Sequence, residues 1–193
     1  MPPRVDDAET EILEAASRIL SAEGASGLTV RRIASEAGCS TMGIYSRFGG
    51  KDGVVDALYA EGFHVLCDGM TALPSSDDAV ADLRLGCLCY RDLALAHAMH
   101  YMVMFGGAVP GFVPSPENKE LAHEAFECLI SEVQRCVDAG AFRGDARELA
   151  HTLWSAMHGQ VMLELVGLNP VGTDTDTQYR DLLDTVIDGL RAR

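Results

Sequence analysis

Of everything in this chain, the stretch Leu28 to Lys51, LTVRRIASEAGCSTMGIYSRFGGK, most narrows what it can fold into, because it reads as two short helices clasped around a tight turn. The hydroxyl of Thr29 is placed to cap the first helix, and Ile33, Ala34 and Ala37 recur on one face at helical spacing. Gly38 follows directly, and glycine reaches a left-handed backbone conformation without steric cost, which ends a helix sharply. Ser40 supplies the cap of a second helix, one side of which is buried by Ile44 and Phe48, four residues apart. At about 100° per residue, the opposite side carries Met42, Gly43 and Ser46, flanked by Thr41, Tyr45 and Arg47. Ala34 and Gly38 are small where the two helices are expected to cross closely. A helix-turn-helix of this kind sets one helix into the major groove of DNA, and the exposed side of the second helix is what the groove meets.

The rest of the chain also reads as helices, with no strand pattern longer than a few residues and no internal repeat. Val5 to Glu23 is amphipathic through Ile12, Ala16, Ile19 and Leu20, and stops at Gly24. Asp52 to Thr71 leads out of the first module and ends before Pro74. Ser76, with Asp77 and Asp78 in the first turn, opens a helix running toward Met104 that breaks near His97 to His100. Gly106 to Pro114, GGAVPGFVP, is irregular. Ser115-Pro116-Glu117 starts a helix that continues to Ala139 and is closed by Gly140. Asp145 with Glu148 resembles a capping box for a helix to Leu168, ended by Asn169-Pro170, and a last helix covers Asp176 to Arg191. The fold expected is all-α, with about nine helices. Residues 1–52 are expected to form a three-helix DNA-binding domain whose helix-turn-helix spans 29–48, and residues 53–193 a second, helical domain.

The net charge of −14 by itself opposes binding to nucleic acid, and only its distribution is compatible with it. Between Leu28 and Lys51 the basic residues Arg31, Arg32, Arg47 and Lys51 face a single acid, Glu36, whereas from Glu61 onward 9 basic residues stand against 20 acidic ones. Positive charge is thus gathered where phosphate contact is expected. The six cysteines, Cys39, Cys67, Cys87, Cys89, Cys128 and Cys136, are expected to be reduced, since no signal peptide is expected and the chain has enough apolar residues for a core. No run approaches the roughly 18 apolar residues of a membrane span, and the setting expected is cytoplasmic.

At the residues of the first module the chain resembles a known family. Thr29, Ile33-Ala34, Ala37-Gly38, Ser40, Tyr45, Phe48 and Lys51 stand in the order and spacing of the DNA-binding domain of TetR-type transcriptional regulators, over roughly residues 8 to 60. The resemblance implies that Ser40, Thr41, Met42, Gly43 and Tyr45 face DNA, and that Lys51 grips a phosphate at the start of the following helix. With Ser46 added from the helical rotation, Ser40, Thr41, Met42, Gly43 and Ser46 are expected at bases or their methyl groups, and Thr29, Arg31, Tyr45 and Lys51 at phosphates. The junction Phe48-Gly49-Gly50-Lys51-Asp52-Gly53 is richer in glycine than the common pattern and bears on the angle of the next helix. A second resemblance rests on Trp154-Ser155-Ala156-Met157-His158-Gly159, with Met104-Phe105-Gly106-Gly107 and Val109-Pro110-Gly111. It is similar to TetR regulators whose C-terminal domain carries a Trp-x-x-x-His-Gly helix.

Leu149, Leu153, Trp154, Met157, Val161, Met162 and Leu165 make one broad apolar face, and Leu182, Leu183, Val186, Ile187 and Leu190 make another. Two such faces suit a four-helix contact with a second copy, and a homodimer would set two reading helices about 34 Å apart on an inverted-repeat operator. Family members are released from DNA by a small molecule held among the middle helices. Tyr90, His97, Met102, Phe105, Trp154, His158 and Met162 are the candidates to line such a site, and they suit a hydrophobic or aromatic compound. The function expected is a dimeric repressor rather than an enzyme, with no cofactor and no metal. Two other readings remain open. Glu-x-x-His occurs at Glu61/His64, Glu120/His123 and Glu148/His151, and a di-metal carboxylate bundle would use such motifs with Glu132 and Glu164. A dimeric binding module without DNA binding is the other.

Overall fold

The computed structural model describes residues 7–191. Among them are nine helices and no strand: α1 (Asp7–Gly27), α2 (Val30–Glu36), α3 (Thr41–Phe48), α4 (Lys51–Thr71), α5 (Ala79–Ala96), α6 (Ala98–Met104), α7 (Pro116–Asp138), α8 (Ala146–Leu165) and α9 (Thr175–Leu190). An isolated antiparallel bridge joins Phe142 to Arg191. The expected start of the first helix at Val5 lies outside the described residues. Two compact units are formed, one by the residues up to His64 with His97–Leu121, the other by Val65–Ala96 with the residues from Ala122 onward.

The first unit is built on α1. Its Ile12, Leu13, Ala15, Ala16, Ile19 and Leu20 are buried, the spacing of one helical face, and α1 packs on α2 and α6. Ile33 and Ala34 of α2, Ile44 of α3, and Val54, Val55 and Leu58 of α4 complete that core. Beside it lies an aromatic group in which Phe63 meets Tyr59 at 5.0 Å and Phe105 at 5.7 Å between ring centroids, with Tyr101 4.9 Å from Phe105. Asp56 of α4 fastens the start of α7, its carboxylate accepting from the Ser115 N–H and its carbonyl from the Asn118 side chain.

In the second unit, Leu83, Cys87, Tyr90 and Ala94 of α5 face Ala150, Leu153, Met157 and Val161 of α8 and Tyr179, Leu183 and Ile187 of α9, all buried. Polar ties run along the α5 and α9 pair: the Tyr179 hydroxyl donates to the Cys87 carbonyl at 2.8 Å, and the Arg84 guanidinium grips Asp184.

Several helix ends differ from expectation. The first helix does break at Gly24 (φ 68°), but helical turns resume and carry it to Gly27. The helix expected from Ser76 starts at Ala79, because Asp78 rather than Ser76 accepts from the first free N–H groups, those of Val80 and Ala81. Ser76 instead gives its N–H and hydroxyl to Asp82, which also receives Arg135. These bonds hold the Asp82 carboxyl down at about 2. The break near His97 stands as expected: His97 is non-helical between α5 and α6. α8 stops at Leu165, short of the expected Leu168, because Gly167 turns left-handed (φ 69°) and returns the Leu168 N–H to the Leu163 carbonyl.

Candidate nucleic-acid interface

The reading helix is held by two side-chain caps. The Thr29 hydroxyl accepts from the Arg32 N–H at 3.2 Å, and the Ser40 hydroxyl from the Gly43 N–H at 3.0 Å. Gly38 is left-handed (φ 65°), which its position requires. It does not serve a close helix crossing, since among the described residues nothing lies within 4 Å of where its Cβ would stand. Ala34 is buried, and Ile44 anchors α3 with its side chain fully enclosed.

That anchoring turns the opposite side outward. Met42 is 73% exposed and Tyr45 55%, with Thr41 and Ser46 exposed beside them and Gly43 between. The Ser46 hydroxyl already donates to the Gly43 carbonyl, which leaves its oxygen as an acceptor toward a ligand. Helical rotation alone sets Arg47 to one side. The structure brings its guanidinium within 3.7 Å of the point where a Gly43 Cβ would stand, so Arg47 leans back along the reading face over the one residue with no side chain. Their spacing of four residues, a glycine and a long cation, is the signal the sequence holds for this.

The charge picture changes too. By sequence Arg32 counts toward the positive patch, but it is bound to Glu23 at 2.9 Å and to Glu36 at 3.5 Å, while Arg18 bridges Glu36 and Glu14. These pairs tie α1 to α2 and neutralise the charge of Arg32 within the protein. Among the described residues, Arg31, Arg47 and Lys51 make no such pair, so the positive field at this face rests on them.

The mounting of α3 on α4 is a backbone device. Gly49 caps α3 in the left-handed region (φ 71°), its N–H donating to the Tyr45 carbonyl, and Gly50 (φ 141°) lies under the Tyr45 ring. A Cβ on Gly53 would stand 1.8 Å from the Phe48 carbonyl oxygen. The end of α3 therefore rests on the bare backbone of the first turn of α4, and Lys51, half-buried, opens that helix.

The candidate effector residues fall in both units. Tyr90 is buried on α5, and Trp154, His158 and Met162 are half-buried on α8. There the Trp154 ring lies 5.5 Å from His158 and 5.8 Å from Phe126 of α7, and burial lowers the affinity of His158 for a proton. His97, exposed, with Met102 and Phe105, belongs to the other unit. A shallow surface groove between α8 and α9, with no enclosed cavity, is lined by Leu153, Met157, Tyr179, Leu182 and Val186, none of them among those candidates. Among the described residues nothing comes within 4 Å of the Cβ position of Gly159.

Among the described residues the Glu-x-x-His motifs are not brought together into one site. Glu61 pairs with His100 at 3.2 Å, Glu164 is taken by Arg91, Glu132 by Arg135, and Glu120, His123, Glu148 and His151 lie on exposed helix surfaces. Among the described residues no three His, Cys, Asp or Glu side chains converge as a metal would need. All six cysteines are free thiols, and burial pushes Cys87 up to about 12 and Cys67 and Cys136 to about 11. No helix among the described residues is long and apolar enough to cross a membrane.

A capped helix-turn-helix with an outward, partly cationic second helix, on an all-helical chain, defines a DNA-binding transcriptional regulator. Residues 12–58 match the family described as "Bacterial regulatory proteins, tetR family", and residues 83–186 match "Tetracyclin repressor-like, C-terminal domain". The chain belongs to the TetR family of transcriptional regulators. Among solved structures it is similar to a protein of unknown function from Rhodococcus, with 26% identity, a TM-score of 0.79 and 100% of both chains covered. It is also similar to the TetR family transcriptional regulator PfmR from Thermus thermophilus, with 21% identity and a TM-score of 0.74 over 94% of this chain and 99% of the other. A TetR transcriptional regulator from Streptomyces coelicolor shares 27% identity over 95% and 98% of the two chains, with a TM-score of 0.57. No curated protein matches the chain.

Proposed function

We propose that this regulator is a cytoplasmic homodimeric repressor that holds an inverted-repeat operator and leaves it when a small, lipophilic molecule binds the domain from residue 53 onward. The observation that carries the DNA-binding part is α3: Ile44 buries one side, and Met42, Tyr45, Thr41 and Ser46 stand out on the other, flanked by Arg31, Arg47 and Lys51. Ser40, Thr41, Met42, Gly43 and Ser46 approach base edges, and Thr29, Arg31, Tyr45 and Lys51 hold phosphates. With no Asn or Gln on this face, direct readout is sparse, and dimer spacing and DNA shape supply much of the specificity.

The apolar faces of α8 and α9 support the dimer. Leu149, Trp154, Met162 and Leu165 of α8 and Leu182, Val186 and Leu190 of α9 stay half-exposed in the single chain. The apolar and aromatic character of Met102, Phe105, Trp154 and Met162 supports a lipophilic effector, and the Trp154/His158 pair supports the Trp-x-x-x-His-Gly subgroup.

Footprinting on the DNA upstream of the protein's own gene, with and without a panel of lipophilic compounds, tests the whole reading. A symmetric protected site that a compound abolishes is the expected result, and no protection at any salt concentration would overturn it. On that site, Lys51→Ala weakens binding to all sequences alike and lowers the salt slope by about 1, whereas Met42→Ala changes the preference among sequences. An equal loss at every sequence for Met42→Ala would remove its assigned role.

A further inference from the structure

Arg91 is the buried cation of the second unit, its side chain 9% exposed beside a Glu164 side chain at 7%. It stands on α5 and reaches both helices of the apolar seam. Its Nε and Nη2 donate to the two carboxylate oxygens of Glu164 on α8, each at 2.9 Å. Its Nη1 donates to Asp176 at 3.1 Å, Nη2 also meets the Thr175 hydroxyl at 3.4 Å, and the guanidinium lies 5.3 Å from the centroid of the Tyr179 ring, all three on α9. One planar group therefore fixes the last turns of α8 and the first turn of α9 at once.

Burying such charges gains little stability over apolar side chains of similar volume, because the desolvation of the ions offsets their attraction. What a bidentate fork adds is direction, since guanidinium and carboxylate meet in one plane and at one register. Leu163 and Val166, which flank Glu164, and Leu168 and Val171, in the connection the clamp closes, are exposed apolar residues. The clamp thus fixes the register of the end of α8 and of the connection to α9, a segment whose outer face carries these apolar residues.

We infer that Arg91 is a positioning residue for self-association: through Glu164 and Asp176 it sets α8 and α9 in the one arrangement in which two copies pair. This rests on the reading of α8 and α9 as the dimer seam, and the test separates the two. Sedimentation equilibrium of the full chain measures the dimer dissociation constant, with circular dichroism and thermal midpoints recording the fold. Leu182→Asp, on the seam and outside the ion pairs of the clamp, tests the seam itself, and a variant that remains fully dimeric overturns the seam reading and the role of Arg91 with it. The double replacement Arg91→Met with Glu164→Leu fills the volume with apolar side chains, and is expected to keep the fold and weaken the dimer by about tenfold or more. Arg91→Lys keeps the charge but not the fork, and is expected to weaken the dimer by less than the double replacement, with circular dichroism showing the helical fold retained. If Leu182→Asp is monomeric while both Arg91 variants dimerise as the parent does, the clamp is only a local brace and the inference falls. Should the double variant fail to fold, Arg91→Lys decides alone: an unchanged dimer constant overturns the proposal.

Discussion

Replacing Gly53 by alanine isolates the contact that sets α3 on α4. In an ordinary helix the exchange gains about 1 kcal/mol, because alanine loses less backbone freedom on folding. Here the new Cβ would stand 1.8 Å from the Phe48 carbonyl oxygen and 2.8 Å from its carbon, and the oxygen must retreat by about 1.2 Å to reach even a tight 3.0 Å contact. The obstacle is backbone, and it is held from the other side by the Gly49 cap, so it cannot swing away as a side chain does. Forcing such a shift costs about 3 kcal/mol, at the upper end of overpacking, and the balance is a loss of about 2 kcal/mol. For a chain of this size that is about 4–8 °C in thermal midpoint. Two other glycine-to-alanine exchanges calibrate the measurement. In Gly62→Ala the Cβ meets the flexible end of Met104, 2.3 Å away, so the change stays within about 1 kcal/mol of the parent. Gly86→Ala meets nothing within 4 Å and gains up to about 1 kcal/mol. Calorimetry of the three variants is the assay. A Gly53→Ala protein that melts at or above the parent refutes the reasoning, since it would mean that the Phe48 carbonyl does not occupy that place.

Ser40→Ala removes the acceptor of the Gly43 N–H and is expected to lower stability by about 1 kcal/mol, while Ser40→Gly costs only a few tenths; urea titration separates the two. Asp82 carries the pH dependence of the loop before α5. Its carboxyl is held at about 2, chiefly by the Ser76 N–H and hydroxyl and then by Arg135, so its stabilising effect is full above the usual carboxylate range and is lost as the pH falls toward 2. In Asp82→Asn the part of the acid-side decline due to this group disappears, and a urea midpoint that falls between pH 5 and pH 2 as steeply as in the parent would contradict the assignment. A thiol reagent at neutral pH modifies exposed Cys128 in the native protein, whereas buried Cys87 and Cys136, with raised thiol pKa, react only on unfolding; mass mapping of rapidly labelled protein reads this directly.

What is legible in the sequence is local and periodic. Thr29 and Ser40 are recognisable as caps because a hydroxyl at that place has one nearby use, and Ile44 can be placed inside because its partners recur on a single helix face. The break near His97 shows as a lapse in the pattern. The differences arise where partners distant in the chain compete for one group. Ser76 has the position of a cap, but Asp82 and Arg135 converge on it and leave the capping to Asp78. Arg32 has the position of a free cation, but Glu23, nine residues away, holds it. Gly53 is visible only as an excess of glycine, because the carbonyl that excludes a side chain there appears only in three dimensions. The Arg91 clamp, whose partners lie more than 70 residues on, leaves no local trace at all.

The junction of α3 and α4 also bears on how this head could be redirected. The contact of the Phe48 carbonyl with Gly53 involves main-chain atoms alone, and the Gly49 cap depends on φ rather than on any neighbouring side chain. The outward residues Thr41, Met42 and Ser46 take no part in it. A library randomised at those three places would thus alter what the helix recognises while leaving its pitch and tilt as they are, so the junction serves as a fixed socket into which new reading faces can be fitted.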